Sequence, residues 1–207
     1  MMRELFDSNK SYFITILTFI IFGGILLLII PRDEINLWVN QNYNRYLDQS
    51  FLFFNGIGNV EFSILTVLFF LLLRDWKWAL KAAICFLSVM LVTQCLKHLI
   101  FPGTLRPTMY FDDDMLRLIE GVRQLKTESF PSGHTSASFS IATFLALFRS
   151  GRNWNWILAF FALTVAYGRI YMSQHFMTDI YAGMLIGVIV TFLIYSYYPK
   201  KFEPHAD

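Results

Sequence analysis

The chain has 207 residues, of which 56% are hydrophobic and only 15% charged, and its mean hydropathy is +0.48. That is too little charge to cover a soluble domain of this length, which argues against a soluble globular protein and for an integral membrane protein folded as one bundle. A net charge of +2 gives no footing for nucleic-acid binding.

In chain order, the N-terminal stretch mixes Arg3 and Lys10 with Glu4 and Asp7. The apolar run 12–30 that follows is long enough to span a bilayer and is followed by Pro31-Arg32-Asp33-Glu34, with no small-residue cleavage site. It reads as a retained first span, not a signal peptide. Apolar segments then recur near 51–73, 78–100, 132–148, 155–171 and 176–198, giving six in all. Helices are expected, because lipid leaves an open sheet edge without partners, and the alternation of a transmembrane barrel is absent. Basic residues after the second, fourth and sixth segments (Arg74, Lys77, Lys81; Arg149, Arg152; Lys200, Lys201) put that side in the cytoplasm, with both termini inside. Trp38, Trp76, Trp78, Trp154 and Trp156 fall at segment ends, as in an interfacial belt. Cys85 and Cys95 are ten residues apart in one apolar run, too far for a bridge along a helix, and read as small buried hydrophobes.

Polar residues interrupt this pattern at three places on the outer side. The stretch "LKHLIFPGTLRP" carries Lys97, Arg106 and Pro107; "PSGH" opens the fourth segment with Ser132, Gly133 and His134; "GRIYMSQHFMTD" carries Arg169, His175 and Asp179. Charge at this depth needs partners. Lys97, Arg106 and Arg169 outnumber the one nearby carboxylate, Asp179, so an anion from outside completes the balance, and arginine's planar fork suits a phosphoryl group. Ser132 as a helix cap leaves the first amides of the fourth segment pointing at such an anion, and Gly133 allows close approach. His175 and Asp179, four apart on a helix, share a face, so the carboxylate can fix one imidazole nitrogen and leave the other nucleophilic. His134 is placed to protonate a leaving oxygen. The set reads as a phosphoryl-transfer site that requires no metal and no cofactor, since the cations can hold the phosphoryl oxygens.

These residues resemble the type 2 phosphatidic acid phosphatase (PAP2) superfamily, which includes lipid phosphate phosphatases and the vanadium haloperoxidases. Pro131-Ser132-Gly133-His134 matches its central motif fully, Arg169, His175 and Asp179 match in spacing, and the order and six-span layout agree over roughly residues 50–198. Two departures stand out: eight residues separate Lys97 from Arg106 where the family has six, a difference that a turn at Pro102-Gly103 can absorb, and Gly168 replaces the family's serine before Arg169. The resemblance implies that His175 attacks phosphorus, Asp179 orients His175, and His134 protonates the leaving alcohol and then activates water. It implies further that Lys97, Arg106, Ser132, Gly133 and Arg169 hold the phosphoryl oxygens.

Other polar residues have plainer readings. His98 matches no motif and reads as a packing residue; His205 lies in the tail and reads as solvated. Asp112-Asp113-Asp114 invites a metal, but consecutive aspartates do not face one ion. They are expected instead to cap an interfacial helix carrying Leu116, Ile119, Val122 and Leu125, a lid over the site whose Arg117, Arg123 and Lys126 either meet the substrate head group or are simply solvated.

The expectation is an all-α bundle of six transmembrane helices, one PAP2-like domain over residues 1–207, in a bacterial inner membrane with its site on the periplasmic side. Its partners are the bilayer and a membrane lipid phosphate or pyrophosphate, such as undecaprenyl pyrophosphate or phosphatidylglycerol phosphate, which it dephosphorylates. A lipid phosphotransferase using the same histidine and a non-catalytic scaffold are the competing readings; vanadate-dependent halide oxidation does not suit this lipid-facing composition.

Overall fold

The computed structural model describes residues 2–57, 60–112 and 114–197. Among them the apolar runs are all helical and no strand forms: α1 (Met2–Ser8), α2 (Lys10–Ile29), α3 (Arg32–Gln41), α4 (Arg45–Ile57), α5 (Val60–Leu72), α6 (Trp76–Cys95), α7 (Pro107–Tyr110), α8 (Gly133–Phe148), α9 (Trp156–Tyr171) and α10 (Met177–Tyr197). A π-helical turn, Leu96–Ile100, extends α6. Three helical stretches are long and apolar enough to cross a membrane, Lys10–Ile29, Trp76–Ile100 and Met177–Tyr197, and Glu61–Leu72 is a shorter apolar helix. The second apolar segment carries α4 and α5, on either side of residues 58–59, which lie outside the described residues. Lys200, Lys201, His205 and the end of the sixth segment lie outside the described residues.

The bundle is organised by the close approach of α8 and α10. Gly183 and Gly187 lie one turn apart on α10, and a Cβ at either would sit 2.7 Å from the Ser132 carbonyl oxygen or 2.5 Å from that of Ser136. Ser132, Ser136 and Ser140 repeat at the same interval on α8, so small residues face small residues. This is the packing that membrane helices use when no hydrophobic effect drives them together. A hydrogen bond between the Ser140 and Thr191 hydroxyls (2.7 Å) closes the seam lower down.

At the far end from the polar motifs, Phe70, Trp78, Phe144, Phe148 and Tyr195 pack together, most pairs edge to face and Phe70–Trp78 tilted. Lys81, counted from the sequence among the basic residues that follow the second segment, lies within α6 and is buried. It is 2% exposed, with its ammonium 3.6 Å from the Tyr195 ring centroid and 5.0 Å from that of Trp78, because the ring faces stabilise a cation at a site water does not reach.

Two connecting regions differ from expectation. Residues 31–50, read as a plain linker, contain α3, whose first turn holds Asp33 and Glu34 and whose buried face carries Ile35, Asn36, Val39 and Asn40. Among the described residues the interfacial helix expected within 101–131 does not form: the only helix there is α7, and 115–126 follow an irregular path with turns at 115 and 120–121. The apolar spacing does mark burial, since Leu116 and Ile119 are 9% and 8% exposed, Ile119 packing with Ile35, Val39 and Ile170. Helical hydrogen bonding loses to tertiary partners here. Asn40 takes both backbone groups of Arg117, donating to its carbonyl (2.8 Å) and accepting from its N–H (2.9 Å), and Gly121 turns the chain at φ +83°. Arg117 is not free for a ligand, being paired with Asp48 and stacked 3.9 Å over Tyr43. Asp112 and Asp114 cap no helix and Asp113 lies outside the described residues; among those described, no three His, Cys, Asp or Glu side chains cluster as a metal site would require.

Gly187→Val should destabilise the fold by about 1–3 kcal/mol or more, since the α8 backbone cannot yield as a flexible side chain would. The check is thermal unfolding of the purified protein in detergent; an unchanged midpoint would show that α8 and α10 do not depend on this contact.

Candidate active site

The three polar motifs converge around the turn that joins α9 to α10. Arg169 ends α9, and its carbonyl accepts from the backbone N–H groups of Gln174 (2.9 Å) and His175 (3.3 Å), folding the chain back on itself. His175 is 1% exposed and Asp179 likewise 1%. Asp179 occupies the first turn of α10 and reaches back to accept from the Phe176 N–H (2.9 Å), the return arm of a capping box. The same Oδ2 atom lies 3.5 Å from His175 Nδ1.

Arg106 fixes the other side of the ring. Its Nη1 lies 3.2 Å from His175 Nε2 and 2.8 Å from the Gln174 carbonyl oxygen. A guanidinium can only donate, so Nε2 carries the lone pair and Nδ1 the proton, directed toward Asp179. Burial, with Arg106 and Arg169 adding to it, pushes the His175 pKa down to about 3 despite the carboxylate. The ring is therefore neutral at physiological pH.

The eight-residue spacing between Lys97 and Arg106 does not separate them. The π-helical turn that carries Lys97 and the bend at Gly103 (φ +73°) take up the extra length. Lys97 Nζ (2.6 Å) and Arg106 Nη2 (3.2 Å) both donate to the Glu128 carbonyl, and Arg106 Nε donates to the Thr127 carbonyl (2.8 Å). Arg169, 4% exposed, donates from Nη2 to Gln174 Oε1 (3.4 Å). The cations are thus held mainly by backbone and amide oxygens, which orient them without cancelling their charge. Burial holds the Arg106 pKa below its usual value, with Asp179 and Glu128 opposing.

Ser132 caps α8, its Oγ accepting from the Thr135 N–H (3.4 Å) and hydroxyl (3.0 Å), which leaves its own proton to donate. Its backbone N–H donates to the Asp179 carbonyl (3.0 Å) and so ties the start of α8 to α10. A Cβ on Gly133 would meet nothing within 4 Å, so the backbone there faces open space. His134 feels the charges of Arg169, His175, Arg106 and Lys97 and lines a cleft of about 590 Å³ bounded by α5, α6 and α8. Gly168 is packed under Phe51: a Cβ there would lie 2.9 Å from the ring, which accounts for a residue without a side chain at this position.

Four residues of this site carry no motif signal. Ser129, 1% exposed, donates to Asp179 Oδ2 at 2.5 Å and lies 3.5 Å from His175 Nδ1. Gln174 links Arg106, Arg169 and Gln124, to whose Oε1 its amide donates at 2.7 Å. Asn36 donates to the His175 carbonyl (3.4 Å) and Asn40 to the Ser173 hydroxyl (3.0 Å). Ser129 sits two residues before the PSGH run, and buried Asn36 and Asn40 share a helical face with Ile35 and Val39, the one pattern that hinted at them. His98 belongs to the rim, 3.5 Å from Glu128 Oε2.

Comparison with known proteins follows the same lines. Residues 78–203 match the family model described as the PAP2 superfamily. The lipid A 4'-phosphatase of Porphyromonas gingivalis is 29% identical over 171 residues, covering 72% of this chain and 71% of that protein. The undecaprenyl-diphosphatase of Sulfolobus acidocaldarius is 28% identical over 191 residues, covering 88% of each. The crystal structure of Aquifex aeolicus LpxE superposes with a TM-score of 0.68 at 27% identity, over 79% of this chain and 94% of that one.

Two outcomes are expected. Ser129→Ala should lower turnover about tenfold with little change in KM, the loss of one charge-assisted hydrogen bond, and Ser129→Thr should restore part of it; equal activity of all three proteins would remove Ser129 from the site. Because the depressed His175 pKa means the folded state resists a proton that the unfolded chain takes up near 6.5, its contribution to stability is complete above that pH and is lost as pH falls toward 3. Going from pH 7.5 to 5 should therefore destabilise the wild type by on the order of 1–2 kcal/mol more than His175→Gln, read from thermal unfolding at the two pH values.

Proposed function

The chain belongs to the PAP2 superfamily, and from that premise we propose that it is a multi-pass membrane enzyme that removes a phosphate from a lipid through a phosphohistidine on His175. The observation that carries the reading is the unprotonated Nε2 of a buried histidine, oriented by Asp179 and bordered by three cations. A phosphoryl group drawn into the site gives Arg106 better acceptors than the imidazole, and the guanidinium moves from Nε2 to the phosphoryl oxygens. Nε2 then attacks phosphorus as the P–O bond to the lipid alcohol breaks. The leaving oxygen takes a proton from His134, whose imidazole becomes protonated as the negative charge of the phosphoryl group enters among the cations. In the second half, His134 removes a proton from water, the hydroxide attacks phosphorus, and the P–N bond breaks, releasing inorganic phosphate and restoring neutral His175. Lys97, Arg106, Arg169, the Ser132 hydroxyl and the Gly133 amide carry the charge that develops on the equatorial oxygens.

The membrane arrangement completes the proposal. α2, α4 with α5, α6, α8, α9 and α10 form six spans of a single domain, with both termini in the cytoplasm and the site at the outer leaflet. Arg74 and Lys77, around the start of α6, and Arg149 and Arg152, after α8, support that orientation, and a bacterial inner membrane, with the site on the periplasmic side, suits it. The cleft ending at His134 gives the lipid a path from the bilayer to the site. The relatives named as lipid A 4'-phosphatase and undecaprenyl-diphosphatase support hydrolysis of a lipid monophosphate or diphosphate over phosphoryl transfer to another lipid or a purely structural role.

Purified protein in EDTA should release phosphate from at least one lipid phosphate, and His175→Ala should abolish release while keeping a wild-type unfolding profile. Gly133→Ala, which meets no protein atom, should fold normally yet lose activity because its methyl occupies the space of the phosphoryl group. Near-normal turnover by His175→Ala would overturn the mechanism.

A further inference from the structure

Building on that reading, we propose that the cleft between α5, α6 and α8 selects lipids whose phosphate is carried on a hydrogen-bonding unit, an acylated sugar or a glycerol backbone, over those whose phosphate is carried on an isoprenoid chain. The first observation is Thr93. It is 2% exposed, lines this cleft and sits one helical turn before Lys97, yet its hydroxyl has no hydrogen-bond partner. Other threonine hydroxyls in the bundle donate to the carbonyl four residues earlier: Thr66 to Phe62 (2.8 Å), Thr143 to Phe139 (2.7 Å), Thr164 to Phe160 (3.0 Å). Thr93 has the same option and does not take it. A buried hydroxyl without a partner is costly, and a ligand oxygen or N–H at this position satisfies it.

The second observation is independent of Thr93. Glu61 on α5 faces the same cleft and forms no ion pair with any described residue. An ionisable group in an apolar segment marks a functional site by default. Gln94 completes the polar lining, among walls formed by Ile64, Val67, Phe86 and Met90. A carboxylate, an amide and a hydroxyl together serve hydroxyl and amide donors and ester carbonyls.

The chemistry at the end of the cleft fixes what enters it. His134 lies where the leaving oxygen must be protonated, so the unit bearing that oxygen extends from His134 past Thr93. An acylated sugar or glycerol brings hydroxyl, ester or amide groups to that level. A polyprenyl diphosphate brings a second phosphate and then only hydrocarbon. That phosphate meets Glu61, the only carboxylate among the described lining residues, and is repelled. The hydrocarbon behind it leaves Thr93 unsatisfied.

The experiment uses full-length protein in nanodiscs and three probes: a 4'-phosphorylated acyl disaccharide, phosphatidic acid and farnesyl diphosphate. The wild type should favour at least one acylated lipid over the prenyl diphosphate by tenfold or more in kcat/KM, and the better of the two identifies sugar or glycerol as the source. Thr93→Val should lower that preference three- to tenfold, and Glu61→Gln, at an exposed position where folding is not at risk, should narrow it from the other side by improving the prenyl diphosphate. Binding of the same lipids to His175→Ala, measured by native mass spectrometry, should follow the same order. If no lipid is hydrolysed but the binding order persists, the phosphatase reading fails and this one stands. Indifferent binding, or a preference unchanged in both variants, overturns it.

Discussion

Three cations, Lys97, Arg106 and Arg169, are buried together in a protein made mostly of hydrocarbon, and the rest of the site is arranged around that fact. Pairing each with a carboxylate would keep them in place and leave nothing for an anion to do. Instead the chain presents carbonyl oxygens. Thr127 and Glu128 serve Lys97 and Arg106, and Gln174 serves both arginines, one through its backbone and the other through its side chain. Carbonyl dipoles stabilise a cation while leaving its net charge available to a ligand. The irregular segments 101–131 and 172–176 exist for this purpose. A helix spends its carbonyls on its own amides and could not supply them.

The second requirement is that the two sides of the site be held at fixed separation. The Ser132–His134 end of α8 and the His175–Asp179 end of α10 come from segments about forty residues apart in sequence. They meet because Gly183 and Gly187 let the two backbones touch, and the Ser132 amide closes the contact on the Asp179 carbonyl. The close packing runs from the site down the α8–α10 seam, and its effect is felt at the site, where a displacement of about 1 Å is enough to misalign a reacting pair.

What the sequence made legible follows from the physics of each signal. Apolar length announces helices in lipid, and each of the six segments is helical wherever it is described. The cations and histidines stood out because charge in an apolar run is anomalous. The scaffold that orients them was hidden for the opposite reason. Ser129, Gln174, Asn36 and Asn40 are ordinary polar residues in or near loops, and their roles come from backbone geometry that no spacing rule encodes. The 112–126 segment shows the limit from the other direction. Its apolar spacing marked which residues are buried, but two bonds from Asn40 and a glycine turn determined how the backbone runs. Lys81 looked like a loop charge because its two aromatic neighbours come from different helices.

The contact between Arg106 and His175 Nε2 has a consequence for the resting protein. With a donor seated on its lone pair, the imidazole is capped whenever the site holds no anion. A stray electrophile, a soft metal ion or a proton arriving alone finds the reactive nitrogen already engaged. Only a ligand with enough negative charge to draw the guanidinium aside uncovers it. Under the proposed mechanism, the reactivity of this imidazole is thereby latched to the charge of its visitor, and the ring is offered only to the class of molecule the cations attract.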